Sequence, residues 1–380
     1  MTETAETIYD QRLAAVERQM AADGLDALVV GDGFDVAYLT GFTGGDGVAV
    51  LVLTPGADDT NFFVTDRRYV TQMAKECPAY EVRDWHKGVP GYYGTAGQVV
   101  AQLATAGATQ ASATTARVGY YPDTLSHANF LQLTAQAPDV EWVAATPYIK
   151  HMRAHKTPEE IATIREACRI SMLSFYALLD HIRPGVTEKD VDNALEREFR
   201  AHGGSGYCFT TIVASGPENG ACPHATVTDR VLQKGDFVTI DFGAGYKGYC
   251  SDITRTVSLG PARPELRHMF DVVTEAKRAG HEALRAGTTP HAVHDAINAV
   301  ITGAGYETPH GFGHSFGLAI HEWPFISPSD DTPYEAGTIT TIEPGLYVPG
   351  VGGVRQEDDY LITADGSERL TFITDELIEL

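Results

Sequence analysis

The sequence predicts an α+β protein with a smaller α/β domain over residues 1–154 and a larger α+β domain over residues 155–380. In the first part, short apolar runs alternate with helical stretches, which is typical of a small α/β domain. Thr157 is followed by Pro158 and Glu160, the pattern of a helix N-cap with a capping box, so a new helix begins there. Later, strands and glycine-bearing hairpins interleave with long helices, which favours an α+β arrangement.

The individual elements follow from apolar periodicity and from turn residues. The first domain is predicted to contain a helix at residues 8–23, strands at 25–30, 48–53 and 61–65, and an Ala-rich helix at 98–106. The second is predicted to contain helices at residues 157–182, 187–203, 264–286 and 290–302. Its predicted strands lie at residues 207–214, 236–242, 249–257, 338–343 and 354–363.

The negative net charge argues against binding to nucleic acid or to anionic membranes. The chain has 28 Lys and Arg against 51 Asp and Glu, a formal net charge of −23, and this field would repel nucleic acid and anionic membrane surfaces. The longest apolar run, residues 48–53, is far shorter than the ~20 residues that a membrane helix needs. The five cysteines form no CxxC pair and the N-terminus shows no secretory apolar segment, so we expect a cytoplasmic protein without disulfides.

Two aspartates lie eleven residues apart around a glycine-bearing turn. Asp241 ends the apolar run at residues 237–240, and Asp252 lies within the next predicted strand. Because a hairpin places its two arms side by side, we expect the two carboxylates to face each other. The alternative for either residue alone is a solvated acid at a sheet edge.

Histidine is concentrated in residues 310–321, where three of the chain's 14 histidines are separated by three glycines. These three are His310, His314 and His321. Glycine lets the backbone bend and approach other segments closely, and imidazole is the commonest nitrogen ligand for metals in proteins. The density therefore favours convergent functional side chains over unrelated histidines of a surface loop.

A second pair of acids repeats the arrangement of Asp241 and Asp252. Glu343 ends a predicted strand at a Pro-Gly turn, and Glu357 follows a glycine turn at residues 350–353. Four carboxylates brought together carry about −4, so they repel one another by several kcal/mol per pair in a partly dry site. Either the acids take up protons or cations neutralise them, and two divalent cations would bring the sum to zero. Oxygen ligands with one nitrogen suit Mn²⁺ or Co²⁺.

Residues 155–380 resemble the pita-bread metallopeptidases, the superfamily of methionine aminopeptidases and proline peptidases. The motifs that carry this resemblance are Ile240-Asp241-Phe242-Gly243-Ala244, Ser251-Asp252-Ile253-Thr254-Arg255-Thr256, Gly313-His314 with Gly317 and His321-Glu322, Ile342-Glu343-Pro344-Gly345, and Val354-Arg355-Gln356-Glu357-Asp358. The first domain is similar to the extra N-terminal domain of Xaa-Pro aminopeptidases and prolidases, at residues 38–44 and 65–69. The resemblance implies a pita-bread catalytic domain preceded by a creatinase-type N-terminal domain.

The resemblance also implies a role for each matching residue. The metal ligands would be Asp241, Asp252, His314, Glu343 and Glu357. Asp241 would hold one ion and His314 and Glu343 the other. Asp252 and Glu357 would bridge both ions, with a water between them as the nucleophile. Glu343 would also relay a proton from that water.

Three further histidines of the family pattern would act on the peptide itself. The resemblance implies that His224, His310 and His321 bind the scissile carbonyl, stabilise the oxyanion and assist the leaving nitrogen. Arg355 would hold this network or the substrate. For His224 the alternative is an ordinary turn, because a Pro-His pair in a loop is common without any function.

The function implied by the resemblance is an Xaa-Pro aminopeptidase that acts on proline-containing peptides with two divalent metal ions. Mn²⁺ is the expected metal, with Co²⁺ and Zn²⁺ as alternatives, and a homodimer is expected because dimers are common in the family. Family dipeptidases often carry an arginine after the His-Glu pair, and residues 323–327 contain none, which favours the aminopeptidase over an Xaa-Pro dipeptidase. A creatinase-like hydrolase or a non-catalytic binding protein would be expected to have lost metal ligands.

Overall fold

A computed structural model describes residues 7–45, 47–56, 60–85, 91–106, 115–308 and 310–380. The chain divides into two compact units, Met1–Met152 and Arg153–Leu380. Among the helices of these described ranges, none has the length and hydropathy that crossing a bilayer requires.

The first unit contains a six-stranded mixed sheet with the strand order β4-β3-β2-β1-β5-β6. Its strands are β1 (Ala27–Val30), β2 (Ala49–Leu53), β3 (Phe62–Thr65), β4 (Glu81–Asp84), β5 (Arg117–Tyr120) and β6 (Glu141–Ala144). Its helices are α1 (Ile8–Ala22), α2 (Gly33–Thr40), α3 (Val70–Glu76), α4 (Gly91–Ala106), α5 (His127–Gln136) and α6 (Tyr148–Ala154), the last of which crosses the division between the units.

The predicted strands of this unit are confirmed as β1, β2 and β3, whose residues are all buried. The strands β4, β5 and β6 were not predicted, because β4 and β6 consist of half-buried or exposed residues and β5 has only two buried ones, so none has an apolar run. The predicted Ala-rich helix begins earlier than its composition indicated, at Gly91.

Four long helices belong to the second unit. They are α7 (Pro158–Leu178), α8 (Glu188–Ala201), α9 (Pro264–Ala283) and α10 (Pro290–Gly303). The predicted capping box at Thr157 is confirmed, because Thr157 exchanges hydrogen bonds with Glu160, and Thr187 forms the same arrangement with Asp190 at the start of α8. The first of these helices ends at Leu178 and continues as a 3₁₀ turn over Leu179–His181, so the α-helix is shorter than the predicted residues 157–182.

The strands of the second unit form two main sheets and two small pairs. The three-stranded sheet has the order β11-β9-β8, the five-stranded sheet the order β13-β12-β14-β17-β18, and β7 pairs with β10 and β15 with β16. Their bounds are β7 (Gly206–Tyr207), β8 (Ile212–Ser215), β9 (Phe237–Phe242), β10 (Ala244–Gly245), β11 (Ile253–Ser258), β12 (His314–Ser315), β13 (Glu322–Phe325), β14 (Ile339–Ile342), β15 (Gly345–Val348), β16 (Gly352–Arg355), β17 (Asp358–Ile362) and β18 (Ser367–Arg369).

Two predicted strands are interrupted where the chain changes its pairing partner, and a third begins later than predicted. The predicted strand at residues 207–214 is two strands, since β7 pairs with β10 while β8 pairs with β9. The strand predicted at 249–257 starts only at Ile253. The strand predicted at 354–363 breaks after Arg355, because the chain leaves β15 there and joins β14 from Asp358 onwards.

Helices bury both sheets and leave the strand ends for the site. The helices α9 and α10 pack Met269 and Ile297 into one apolar cluster with Ile342. The helices α7 and α8 cover the other sheet, where the rings of Phe175 and Phe242 stack with centroids 5.5 Å apart. Each such fully buried side chain contributes about 1.5–3 kcal/mol of hydrophobic stabilisation, so these clusters hold the strand ends in place.

Candidate metal centre and active site

The two aspartates lie on neighbouring strands of the three-stranded sheet. Asp241 of β9 pairs with Thr254 of β11, and Asp252 directly precedes β11. Asp252 is therefore a diagonal neighbour of Asp241, two residues from the position directly opposite. The two carboxylates are therefore not directly opposite as expected, because the register pairs Asp241 with Thr254 and leaves Asp252 before the start of the strand. The period of two still keeps both carboxylates on one face of the sheet.

The two glutamates extend the pairing of β14 with β17. Ile342 of β14 pairs with Asp358 of β17, and Glu343 and Glu357 occupy the next position of the same antiparallel register. Glu343 lies just after β14, and its backbone N–H donates to the carbonyl of Phe312. Both acids therefore lie at the end of the five-stranded sheet, where the Pro-Gly turn begins.

His314 begins β12, and its ring is oriented by its own backbone surroundings. The preceding Gly313 has φ of +153°, and a Cβ there would collide with the carbonyl oxygen of Thr341, so only glycine lets the chain approach so closely. The Nδ1–H of His314 donates to the carbonyl of Ser315 over 3.1 Å. Its Nε2 then lies 3.5 Å from Oδ2 of Asp252 and 3.7 Å from Oε1 of Glu343. This is how proteins present a neutral imidazole nitrogen to a metal.

The residues present fit a divalent cation. Ligand atoms of Asp252, His314 and Glu357 all lie within 4.8 Å of one another. The buried oxygens Asp241 Oδ1 and Glu357 Oε1 have no hydrogen-bond partner among the described residues. A buried carboxylate oxygen is costly to leave unpartnered, and an oxygen-rich set with one imidazole nitrogen is the chemistry that Mn²⁺, Co²⁺ and related ions accept.

The pKa shifts of the buried acids also favour the binding of cations. Burial, and next to it the charge of Glu357, raise the pKa of Asp252 well above its usual value. Burial and the charge of Glu343 raise the pKa of Glu357 in the same way. Burial raises the pKa of Glu343 to about 8, although Arg355 opposes the shift. Without bound cations these acids therefore retain protons that a cation would displace.

Arg355 connects the cluster to its surroundings. Its Nη2 donates to Oδ2 of Asp241 over 2.6 Å and its Nη1 to the carbonyl of Pro223 over 2.9 Å. Its Nη1 also donates to the hydroxyl of Tyr347, and its Nε to Oγ1 of Thr254 over 3.2 Å. Thr254 in turn donates to Oε2 of Glu357 over 2.6 Å. The guanidinium of Arg355 therefore positions Asp241 directly, Glu357 through Thr254, and the segment that contains Pro223.

The other three histidines surround the same space. The Nδ1–H of His310 donates to the carbonyl of Gly311, so its Nε2, 3.3 Å from the Tyr347 hydroxyl, is left to accept a hydrogen bond. The ring of His321 lies edge-on to the ring of His314, with centroids 4.5 Å apart. Burial lowers the pKa of both His310 and His321. His224 is exposed and follows Pro223.

A single cavity brings all the predicted site residues together. Its volume is about 350 Å³. Among its lining residues are the nine predicted ones, Asp241, Asp252, His314, Glu343, Glu357, His224, His310, His321 and Arg355. One part of its wall is apolar and includes Phe209, Ile212, Ile320 and Phe325. The cavity can therefore hold both charged and apolar parts of a ligand.

A buried ion-pair group lies beside the histidine segment. Lys156, with its side chain 2% exposed, contacts Oε2 of Glu322 at 3.2 Å and donates to Oγ of Ser315 over 3.1 Å. Arg153 contacts Oε1 of Glu322 at 2.6 Å. Ser315 follows His314 and Glu322 follows His321 in the sequence. The group therefore ties the two ends of the segment that carries both histidines.

Sequence reasoning missed several residues that support the site. Tyr347 contacts Arg355 and Lys156 contacts Glu322, yet neither Tyr347 nor Lys156 was singled out, and Thr254, which also contacts Arg355, appeared only as part of a motif. Glu322 carried a signal, since it follows a candidate histidine directly. Tyr347 and Lys156 carry no local pattern, because what distinguishes them is the distant segment that each one contacts.

Two family models match the chain. Residues 162–364, more than half of the chain, match metallopeptidase family M24. Residues 12–155 match the creatinase/prolidase N-terminal domain. The fold and the site thus define a metallopeptidase with a creatinase-type domain at its N-terminal side. The chain belongs to metallopeptidase family M24.

Known proteins resemble this chain over nearly its whole length. The Xaa-Pro dipeptidase of Pyrococcus furiosus is 32% identical, over 97% of this chain and 99% of that protein. A solved Xaa-Pro dipeptidase from Bacillus anthracis is 34% identical with a TM-score of 0.87, covering 97% of this chain and 99% of that one. A solved X-Pro aminopeptidase from Thermotoga maritima is 29% identical with a TM-score of 0.85, again covering 97% and 99%.

These comparisons confirm the predicted α+β fold and the resemblance to the pita-bread metallopeptidases, proline-peptidase branch. The chain is a metal-dependent peptidase that uses divalent metal ions.

Proposed function

We propose that this enzyme is an Xaa-Pro aminopeptidase, which removes the first residue of a peptide whose second residue is proline. The observation that carries the proposal is the convergence of four carboxylates and His314 in a cavity that also contains three further histidines and Arg355. The similarity to Xaa-Pro peptidases over nearly the whole chain supports proline as the residue after the cleaved bond. An Xaa-Pro bond has no N–H and a restricted backbone, so a dedicated site is needed for it.

Five residues would hold two divalent cations. Asp241 would bind one, His314 and Glu343 the other, and Asp252 and Glu357 both. The oxygen-rich ligand set supports Mn²⁺, with Co²⁺ and Zn²⁺ as alternatives. When bound, such a pair of cations lowers the pKa of a water and polarises the scissile carbonyl.

The remaining chemistry belongs to the side chains of this protein. Glu343 accepts the proton that the attacking water loses and passes it on towards the leaving proline nitrogen. His224, His310 and His321 contact the scissile carbonyl and the oxyanion that develops there. Arg355 keeps the carboxylate of Asp241 in place through its 2.6 Å hydrogen bond.

The charges that line the cavity favour a substrate longer than a dipeptide. Among its described lining residues, Arg355 is the one Lys or Arg, and its guanidinium already donates to Asp241, Tyr347 and Pro223. The free carboxylate of a dipeptide would therefore find no uncommitted guanidinium or ammonium there. A longer peptide carries its terminal carboxylate further from the cleaved bond and does not need one.

The test compares peptide lengths on the purified enzyme with Mn²⁺, Co²⁺ or Zn²⁺ added back after chelation. We expect kcat/KM for an Xaa-Pro-Xaa tripeptide to exceed that for the matching Xaa-Pro dipeptide, and Xaa-Ala-Xaa to be hydrolysed poorly. A strict preference for dipeptides would make the enzyme an Xaa-Pro dipeptidase, the alternative that the names of the Pyrococcus and Bacillus relatives favour. Equal rates on proline and alanine peptides would contradict both.

We also infer that the enzyme works in the cytoplasm as a homodimer. All five cysteines are free, which supports a reducing compartment. The dimer follows from the family resemblance, and light scattering of the purified protein tests it: a mass near twice 41.0 kDa is expected.

A further inference from the structure

We propose that Glu188 is a positioning residue for His224. Its buried carboxylate binds residues on both sides of the segment that carries His224, which we name the His224 loop (residues 216–227). The inference rests on the proposed function, since His224 has a role only if the cavity is the active site. Glu188 itself does not line the cavity.

Glu188 is the first residue of α8, and its side chain is completely buried. Five hydrogen bonds converge on its carboxylate. Oε1 accepts from the backbone N–H of Ser215 (2.8 Å) and from its hydroxyl (2.6 Å). Oε2 accepts from the side-chain amide of Asn219 (2.8 Å) and from the N–H and hydroxyl of Thr228 (3.1 and 2.5 Å). Because Glu188 lies at the N-terminus of α8, the helix dipole also stabilises its negative charge.

These partners bracket the His224 loop. Ser215 precedes it, Thr228 follows it, and Asn219 lies within its first turn. The same Asn219 amide also donates to the carbonyl of Thr226 over 3.1 Å, near the other end of the loop. A single carboxylate therefore closes the loop at its base, and this removes much of the conformational freedom that the segment would otherwise have.

The middle of the loop has few attachments. Cys222, Pro223 and His224 are exposed, and Ala225 packs in a small apolar cluster with Ile212. Arg355 donates to the carbonyl of Pro223 over 2.9 Å. The position of His224 therefore depends on the anchored base of the loop, on the close approach of Gly220 to Gly353 of β16, on the packing of Ala225 and on the hydrogen bond from Arg355.

The chemistry of the anchor requires a carboxylate. All five groups that face Glu188 are donors, and an ionised carboxylate only accepts. A glutamine of the same shape would turn an N–H₂ group towards donors on one side, leaving buried donors without an acceptor. Glu188→Gln therefore loosens the loop with little change in side-chain volume.

Asp190→Asn is the matched control. Asp190 lies in the first turn of the same helix, but its carboxylate is exposed and accepts hydrogen bonds from the N–H and the hydroxyl of Thr187. We expect deuterium uptake at residues 216–227 to rise in Glu188→Gln and to stay at the wild-type level in Asp190→Asn. This readout does not require any peptidase activity. It therefore separates failure of the inference from failure of the proposed function.

Kinetics then tests the link to His224. We expect Glu188→Gln to lower kcat on an Xaa-Pro-Xaa peptide by about tenfold to a hundredfold, since small misplacement of an active-site group has effects of that size. KM and the bound metal should change little. In a His224→Ala background, Glu188→Gln should cause no further loss of kcat, because the residue that it positions is already absent.

Two results would overturn the inference. One is unchanged deuterium uptake at residues 216–227 in Glu188→Gln, and the other is an equal fold-loss of kcat with and without His224. If Glu188→Gln does not fold, Asn219→Ala and Thr228→Val are measured in its place. Each of these variants removes one side-chain donor to the carboxylate of Glu188. Wild-type uptake and wild-type kcat in both of those variants would also contradict the inference.

Discussion

Arg355 and Asp241 form a buried ion pair at the wall of the cavity, with Nη2 of the arginine 2.6 Å from Oδ2 of the aspartate. The side chain of Arg355 is 4% exposed and that of Asp241 15%. The pair leaves Oδ1 of Asp241 without a hydrogen-bond partner among the described residues. One oxygen of Asp241 is therefore committed to the protein, and the other is available for a cation.

The Arg355–Asp241 pair predicts that lysine cannot replace arginine. The guanidinium serves Asp241, Tyr347 and Thr254 from three nitrogens at once, whereas an ammonium is a single point charge. We expect Arg355→Lys to lower kcat/KM by about 10²-fold, measured by steady-state hydrolysis of an Xaa-Pro-Xaa peptide. Metal content, measured on the same sample, should remain close to that of the wild type. Wild-type kcat/KM in Arg355→Lys would contradict the proposal that the planar guanidinium of Arg355 is needed.

Loss of a single carboxylate of the cluster should abolish activity through the metal. Asp252→Asn removes a charge from the group of atoms that lie within 4.8 Å of one another. We expect weaker binding of Mn²⁺ by titration calorimetry and no measurable turnover. Asp271→Asn is the control, because Asp271 is an exposed acid on α9 that pairs with Arg267. Tight metal binding and normal turnover in Asp252→Asn would contradict the assignment of Asp252 as a ligand.

Removal of metal should make stability depend on pH in a defined direction. The pKa of Glu343 is raised to about 8 in the metal-free fold. A carboxyl group with a raised pKa in the folded state stabilises the fold while it is protonated, so its contribution is lost as pH rises through that value. The pKa of His314 is instead lowered, to about 4 from 6.5, so its destabilising effect acts only below pH 6.5.

Between pH 6.5 and about 8 the acids therefore dominate, and the Tm of the chelated protein should fall as pH rises. Added Mn²⁺ at a hundredfold excess over its Kd should raise the free energy of unfolding by about 2.7 kcal/mol, and Tm should rise with it. The rise should be larger at the alkaline end, because cations bind the deprotonated acids. A Tm of the chelated protein that is constant or rises with pH would contradict this account, and Glu343→Gln should flatten the slope.

The buried pair of Lys156 with Glu322 should matter more to stability than an exposed pair. Lys156→Met removes one of the two cations that pair with the buried Glu322, which keeps its contact with Arg153. We therefore expect this variant to lower the free energy of unfolding by about 1.5–3 kcal/mol, the range for a lost hydrogen bond to a charged group. Arg165→Met breaks the pair with Glu368, whose side chains are 41% and 44% exposed, and should cost at most about 1 kcal/mol. Urea unfolding measures both. Equal losses in the two variants would mean that burial does not decide the effect.

Much of the fold was predictable because its signals are local. The capping boxes at Thr157 and Thr187 give the starts of α7 and α8, and the buried runs give β1, β2 and β3. The breaks within predicted strands were not predictable in the same way. At residues 356–357 the chain changes partner from β15 to β14, and no residue type at the break announces that change.

For the site, too, the residue types were predictable from the sequence and their relative positions were not. The types and order of Asp241, Asp252, His314, Glu343 and Glu357 in the sequence indicate a metal site, and all five line one cavity. The diagonal offset of Asp252 from Asp241 came from the pairing register, which the spacing of eleven residues does not specify.

By itself, the sequence determined which chemical groups this protein has and the local elements that carry them, since caps, apolar periods and glycine turns act over a few residues. Only the tertiary structure decided which distant groups meet: Arg355 with Asp241, Lys156 with Glu322, and Glu188 with both ends of the His224 loop. Such contacts depend on strand register and on helix packing across more than a hundred residues in the first two cases. Their cause is the burial of the two sheets under helices, which no single segment of the chain encodes.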